Sequence, residues 1–82
     1  MAIDLSMRRI DAVGYTSSSI HIIEITQVAG LKALGQLTAY PTLFALKYPT
    51  NLPIIALLVA ERFESDAEEP FRRSGIPFRL LP

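Results

Sequence analysis

The chain has 82 residues, with 8 Lys+Arg against 8 Asp+Glu, half of it hydrophobic and no Cys or Trp. This describes one small foldable domain, 1–82, without disulfides or Cys-based zinc, and its zero net charge argues against a protein given over to blanket phosphate neutralisation. So short a chain buries only about 60–65% of its unfolded surface, and a compact fold, self-association or a protein partner has to supply the rest.

The first element is a strand over 7–15, where alternation puts Ile10 and Ala12 on one face and Arg9, Asp11 and Val13 on the other. The polar cluster Thr16-Ser17-Ser18-Ser19 reads as a turn, and the β-branched run Ile20 to Thr26 as the returning strand of a hairpin. With a four-residue loop, Tyr15 pairs with Ile20, and counting outward sets Asp11 directly across from Glu24 on the same face. From Ala29 to Tyr48 the spacing turns helical: Leu31, Leu34 and Leu37 lie along one stripe, and Lys32, Gln36 and Tyr40 along another. Pro41 predicts a kink there or the start of a second helix.

The continuous apolar run Ile54 to Ala60 predicts a strand buried on both faces. It is far shorter than the roughly 20 residues of a membrane-spanning helix, so no membrane partner is expected. Ser65 reads as an N-cap, with acids in the first turn, Arg72 and Arg73 in the last, Gly75 as the stop and Pro70 as a distortion. A last strand, Ile76 to Leu81, takes an edge position because of Pro77. The fold expected is α/β, a small mixed sheet with a β-hairpin followed by β-α-β-α-β order. The opening Met1 to Leu5 lacks the charge order and apolar stretch of a secretory signal, so a cytoplasmic or intravirion location is expected.

Two carboxylates facing each other on adjacent strands repel, and burying them is costly unless a cation or donor lies between. Mg²⁺ is held in this way, by one or two carboxylates with water and substrate phosphate oxygens. Asp11 and Glu24 are therefore candidate metal ligands.

Arg9-Ile10-Asp11-Ala12-Val13, then Ile22-Ile23-Glu24-Ile25-Thr26, then Gln36-Leu37-Thr38-Ala39-Tyr40 resemble the PD-(D/E)xK nuclease superfamily over roughly 7–60. The resemblance implies a restriction-endonuclease-like core, Asp11 and Glu24 as Mg²⁺ ligands, and Gln36 and Tyr40 supporting the site or touching nucleic acid. The chain departs from the family pattern in two places. Thr26 stands where the motif Lys is expected, and the leading helix of that core has no room ahead of Met7. Lys32, one turn before Gln36, is the nearby residue whose long stem could restore the ammonium.

The function expected is a degenerate nuclease-like domain, weakly active or inactive, serving as a DNA-associated or assembly module of the phage or mobile-element type. Two alternatives stand beside it: an active Mg²⁺-dependent endonuclease using Asp11, Glu24 and Lys32, with Thr26, Gln36 and Tyr40 in support, and a structural, virion-type protein. A nucleic-acid-binding edge would be formed by Arg8, Arg72, Arg73 and Arg79, and an oligomer surface by Leu43, Phe44, Leu46 and Tyr48. His21 points away from Glu24 and reads as a packed or rim histidine, and the seryl cluster as turn chemistry.

Overall fold

In a computed structural model describing residues 11–82, the chain runs β1 (Ala12–Tyr15), β2 (Ile20–Ala29), α1 (Leu31–Lys47), β3 (Ile54–Phe63), α2 (Glu68–Ser74) and β4 (Phe78–Leu80). The four strands form one mixed sheet in the order β1-β2-β3-β4, with β1 antiparallel to β2 and the other neighbours parallel. The small α/β architecture and the order of elements are those expected from the sequence. Residues 7–10 of the expected first strand, with Arg8 and Arg9, lie outside the described residues.

The hairpin forms in the expected register, with Tyr15 opposite Ile20 and Ala12 opposite Ile23. Thr16 sets the turn: its hydroxyl accepts from the Ser18 and Ser19 N–H groups at 3.2 and 2.9 Å, while its own N–H donates to the Ser19 carbonyl at 2.9 Å. Asp11 lies just before β1 rather than inside a strand.

Both helices cover the same sheet face. Ala33 and Leu37 of α1 and Phe71 of α2 pack with Leu58 and Ala60 of β3, while Phe44 of α1 packs with Val13, Ile20 and Ile22. Phe63 closes the core beside α2, its ring centroid 5.2 Å from that of Phe71 and 5.0 Å from that of Phe78. Among the described residues no helix covers the opposite face. Ile23, Ile55, Leu57 and Val59 are half-buried there and Ile25 is 57% exposed, so β3 is not buried on both faces as its apolar run suggested. A continuous apolar run reports strand burial only where crossover helices are divided between the two sides, and here both lie on one.

Several local expectations are also corrected. Pro41 sits inside one helix, Leu31–Lys47, and no second helix starts there; the ladder loses one donor, and packing of Leu37 and Phe44 on either side holds the helix together. The N-cap of α2 is Ala67 rather than Ser65, and this puts Pro70 in the first turn, where its missing N–H has no intrahelical partner to lose. Gly75 ends α2 at φ 77, a left-handed conformation natural to glycine. β4 does occupy the edge, but spans only Phe78–Leu80. Phe44, placed by sequence on an oligomer surface, is 1% exposed and belongs to the core, whereas Leu43, Leu46 and Tyr48 are exposed. Among the described residues no helix is long and apolar enough to cross a membrane.

Candidate functional site

Along the covered face of β2 the alternation runs Ile20, Ile22, Glu24, Thr26. The first two are closed over by Phe44. Opposite the latter two, the start of α1 offers a polar or small surface, and a cleft of about 510 Å³ remains, lined by Asp11, Glu24, Thr26, Val28, Gly30, Leu31, Lys32, Ala33, Gln36 and Glu64. A second groove of similar size, between Leu37, Thr38 and Pro41 of α1 and the Ser74–Pro77 segment, has no ionisable lining. The chemistry is therefore concentrated in the first.

The hairpin register, extended by one position, brings Asp11 opposite Glu24. The Asp11 carboxylate does more than face its neighbour: Oδ2 accepts a hydrogen bond of 2.7 Å from the Ile25 N–H, taking over where the β1 backbone ladder has stopped. One oxygen of Asp11 is thereby fixed in orientation.

Glu24 has fewer partners. Its Oε2 is buried and makes no hydrogen bond among the described residues, and its strand neighbour on the β3 side is the fully buried Leu58. Desolvation, with repulsion from Asp11 adding to it and attraction from Lys32 opposing it, raises the Glu24 pKa from 4.5 to about 7. Lys32 is near enough to pull against the shift, yet no ion pair among the described residues joins it to either acid. A buried acceptor with no donor is rare in folded proteins, and here it borders an acid-lined cleft.

Five of the six sequence-selected residues, Asp11, Glu24, Thr26, Lys32 and Gln36, thus line one cleft, although they come from two elements, β2 and α1, and the residue preceding β1. Tyr40 does not. One turn beyond Gln36, it packs against the Val13, Ile20, Ile22 and Phe44 cluster. Thr26 uses its hydroxyl locally, donating to the Val28 carbonyl at 3.3 Å. His21 lies off the site and pairs its Nε2 with the Ser19 hydroxyl at 2.9 Å.

The expected arginine edge is largely neutralised. Arg72 and Arg73 form ion pairs of 3.0 and 2.9 Å with Glu68 and Glu69 one turn earlier, and Arg72 also lies over the Phe78 ring. Arg79 remains exposed on the edge strand.

Glu64 is a lining residue that the sequence pattern does not single out. It reaches the cleft because β3 continues to Phe63, three residues beyond the apolar run, and the Glu64 N–H then donates to the Ala29 carbonyl at 2.9 Å. Its carboxylate occupies the space beside Gly30, where a Cβ would lie 2.7 Å from Oε2. The close approach of Glu64 to a residue 34 positions earlier has no local sequence signal.

Among the described residues no group of three or more His, Cys, Asp or Glu side chains is arranged to hold a metal ion. Two carboxylates, one with an unpartnered oxygen, do suit Mg²⁺, which keeps several waters and completes its shell with substrate oxygens. Comparison of the chain with protein-family models, with curated proteins and with solved structures finds no match.

Proposed function

We propose that this chain is a nuclease-like domain with a degenerate PD-(D/E)xK motif and a restriction-endonuclease-like core, whose cleft binds Mg²⁺ through Asp11 and Glu24 and a phosphodiester through Lys32. The observation that carries the reading is the buried, unpartnered Glu24 Oε2 beside a second carboxylate. A cation would satisfy that oxygen and relieve the repulsion together, which neither solvent nor any described donor does.

When bound, Mg²⁺ supplies charge neutralisation on the phosphate and a more acidic water. The chain's own groups supply orientation. The Ile25 N–H fixes Asp11, the Lys32 ammonium, on the first turn of α1, offsets negative charge on a phosphate oxygen, and the Gln36 amide gives a donor and an acceptor to the same space. With Thr26 at the motif position, the strand offers no ammonium of its own, and turnover is weak.

Calorimetric titration of Mg²⁺ and Mn²⁺, followed by incubation with plasmid and single-stranded DNA, tests this. Binding is expected in the wild type and in Lys32→Ala and to be lost in Glu24→Ala, with cleavage lost in both variants. Absence of ion binding by folded wild-type protein would refute the proposal.

A second reading is an inactive DNA-associated or assembly module, a homo-oligomer or one completed by a protein partner. It is favoured by the sheet face carrying Ile23, Ile25, Ile55, Leu57 and Val59, which no helix among the described residues covers.

A further inference from the structure

We infer that the cleft takes the end of a nucleic-acid strand, or a short single-stranded stretch, through one or two phosphates, and rejects a continuous duplex. This rests on the reading of the cleft as a phosphodiester site and adds its substrate class.

The argument starts from the supply of cations. The chain has 8 Lys+Arg, and Arg72 and Arg73 are held by Glu68 and Glu69, so at most six could serve a polyanion anywhere on the surface. Duplex DNA presents one charge per ~1.7 Å, and proteins that depend on it commonly contact about 6–10 phosphates from one side. Here the described cations outside α2 are dispersed. Lys32 lines the cleft, whereas Lys47 lies at the far end of the same helix and Arg79 on the edge strand. Arg62 is exposed in register with the cleft-lining Val28 and is the other described cation close by. Arg8 and Arg9 lie outside the described residues, and counting both toward the cleft still leaves fewer than a duplex tract demands.

The second strand of the argument is repulsion. Glu64 forms part of the cleft wall beside Gly30 at the start of α1, and the exposed Asp66 follows two residues later, with no ion pair to Glu64 or Asp66 among the described residues. A duplex laid across the opening would bring successive phosphates over this acidic wall. A strand end need bring only one or two phosphates to Lys32 and can leave on the other side. The cleft volume, about 510 Å³, falls within the range of roughly 300–1,000 Å³ typical of small-ligand sites rather than of extended grooves.

Fluorescence anisotropy tests this on the full chain, with Ca²⁺ replacing Mg²⁺ to suppress turnover. The probes are a single strand of about 6 nucleotides as DNA and as RNA, a blunt duplex of about 20 base pairs, and the same duplex closed by hairpins at both ends, across about 50–200 mM salt. The short single strand is expected to bind at least as tightly as the blunt duplex, the closed duplex at least ~10-fold more weakly, and the slope of log affinity against log salt to be about −1 to −2. The DNA and RNA arms identify which sugar the site accepts. Glu64→Lys, confirmed folded by circular dichroism, is expected to raise closed-duplex affinity ~10-fold and single-strand affinity less than ~3-fold. A slope of about −5 or steeper, or equal binding of open and closed duplexes, overturns the substrate class. If Mg²⁺ binding at Glu24 persists in that case, the proposed function stands; if neither Mg²⁺ nor any probe binds, both fall.

Discussion

The two halves of β2 differ more from each other than their shared strand and shared face suggest. At the Ile20–Ile22 end the sheet is sealed by Phe44, with Val13 completing a cluster in which these four residues are each no more than 4% exposed. At the Glu24–Thr26 end the same alternation continues with polar residues, and α1 meets them with Gly30, Lys32, Ala33 and Gln36 in place of a large apolar group. One end of the strand gains stability from burial, about 1.5–3 kcal/mol for each large apolar side chain. The other accepts an unsatisfied carboxylate, a local conflict of the kind that folded proteins keep mainly where it has a use.

The contrast breaks most easily at its closed end. Phe44→Ala should cost about 3–5 kcal/mol in urea unfolding, enough to leave a domain of this size marginal. A loss below ~1 kcal/mol would mean that Phe44 does not seal that half.

At the open end the prediction concerns pH. The folded-state pKa of Glu24 is raised, so the unfolded chain gives up its proton first, near 4.5, and the folded chain only near 7. Stability contributed by the protonated form is present in full below pH 4.5, falls as pH rises through that window, and is gone above about 7. Because Glu24 is only half-buried, solvent screening reduces the effect to the order of 1 kcal/mol. Glu24→Gln should remove most of this slope between pH 5 and 8 and, at pH 8, be more stable than the wild type in the absence of divalent ions. Mg²⁺ should raise the wild-type Tm at pH 8 and leave that of Glu24→Gln unchanged, because a ligand stabilises only the state that binds it. A wild-type pH profile parallel to that of the variant would remove the strain from the open end.

The smallest effect belongs to the surface of α2. Arg73→Ala breaks an ion pair between side chains 80% and 67% exposed and should shift stability by less than ~0.5 kcal/mol. A larger loss would show that the paired arginines are structural and not merely withdrawn from phosphate binding.

The sequence carried the hairpin and its register because Tyr15, the four polar turn residues and Ile20 obey local rules, and the placement of Asp11 opposite Glu24 follows from them. The convergence of Lys32 and Gln36 on the same cleft was legible from helical spacing. Tyr40 falls outside the cleft because the stripe i, i+4, i+8 crosses from the open half of β2 to the sealed one, a boundary fixed by where Phe44 packs. The bare sheet face and Glu64 were not legible at all. Which side a crossover helix takes, and how far β3 runs past its apolar core, are decided by tertiary packing among residues distant in sequence.

The parallel pairing of β2 with β3 joins Ile20 to Ile54 and Thr26 to Ala60, partners 34 positions apart, whereas the β1–β2 hairpin closes over four turn residues. Closing a long loop is the slower and entropically costlier event, while hairpins form in about 1–10 μs. Asp11 and Glu24 therefore meet on the most local unit of the chain, whereas the parallel pairing that shields Glu24 from water is long-range. The hairpin alone would leave the pair hydrated, and the burial of Glu24 comes with Leu58 beside it. The strain of the site thus belongs to the long-range β2–β3 pairing and not to the hairpin.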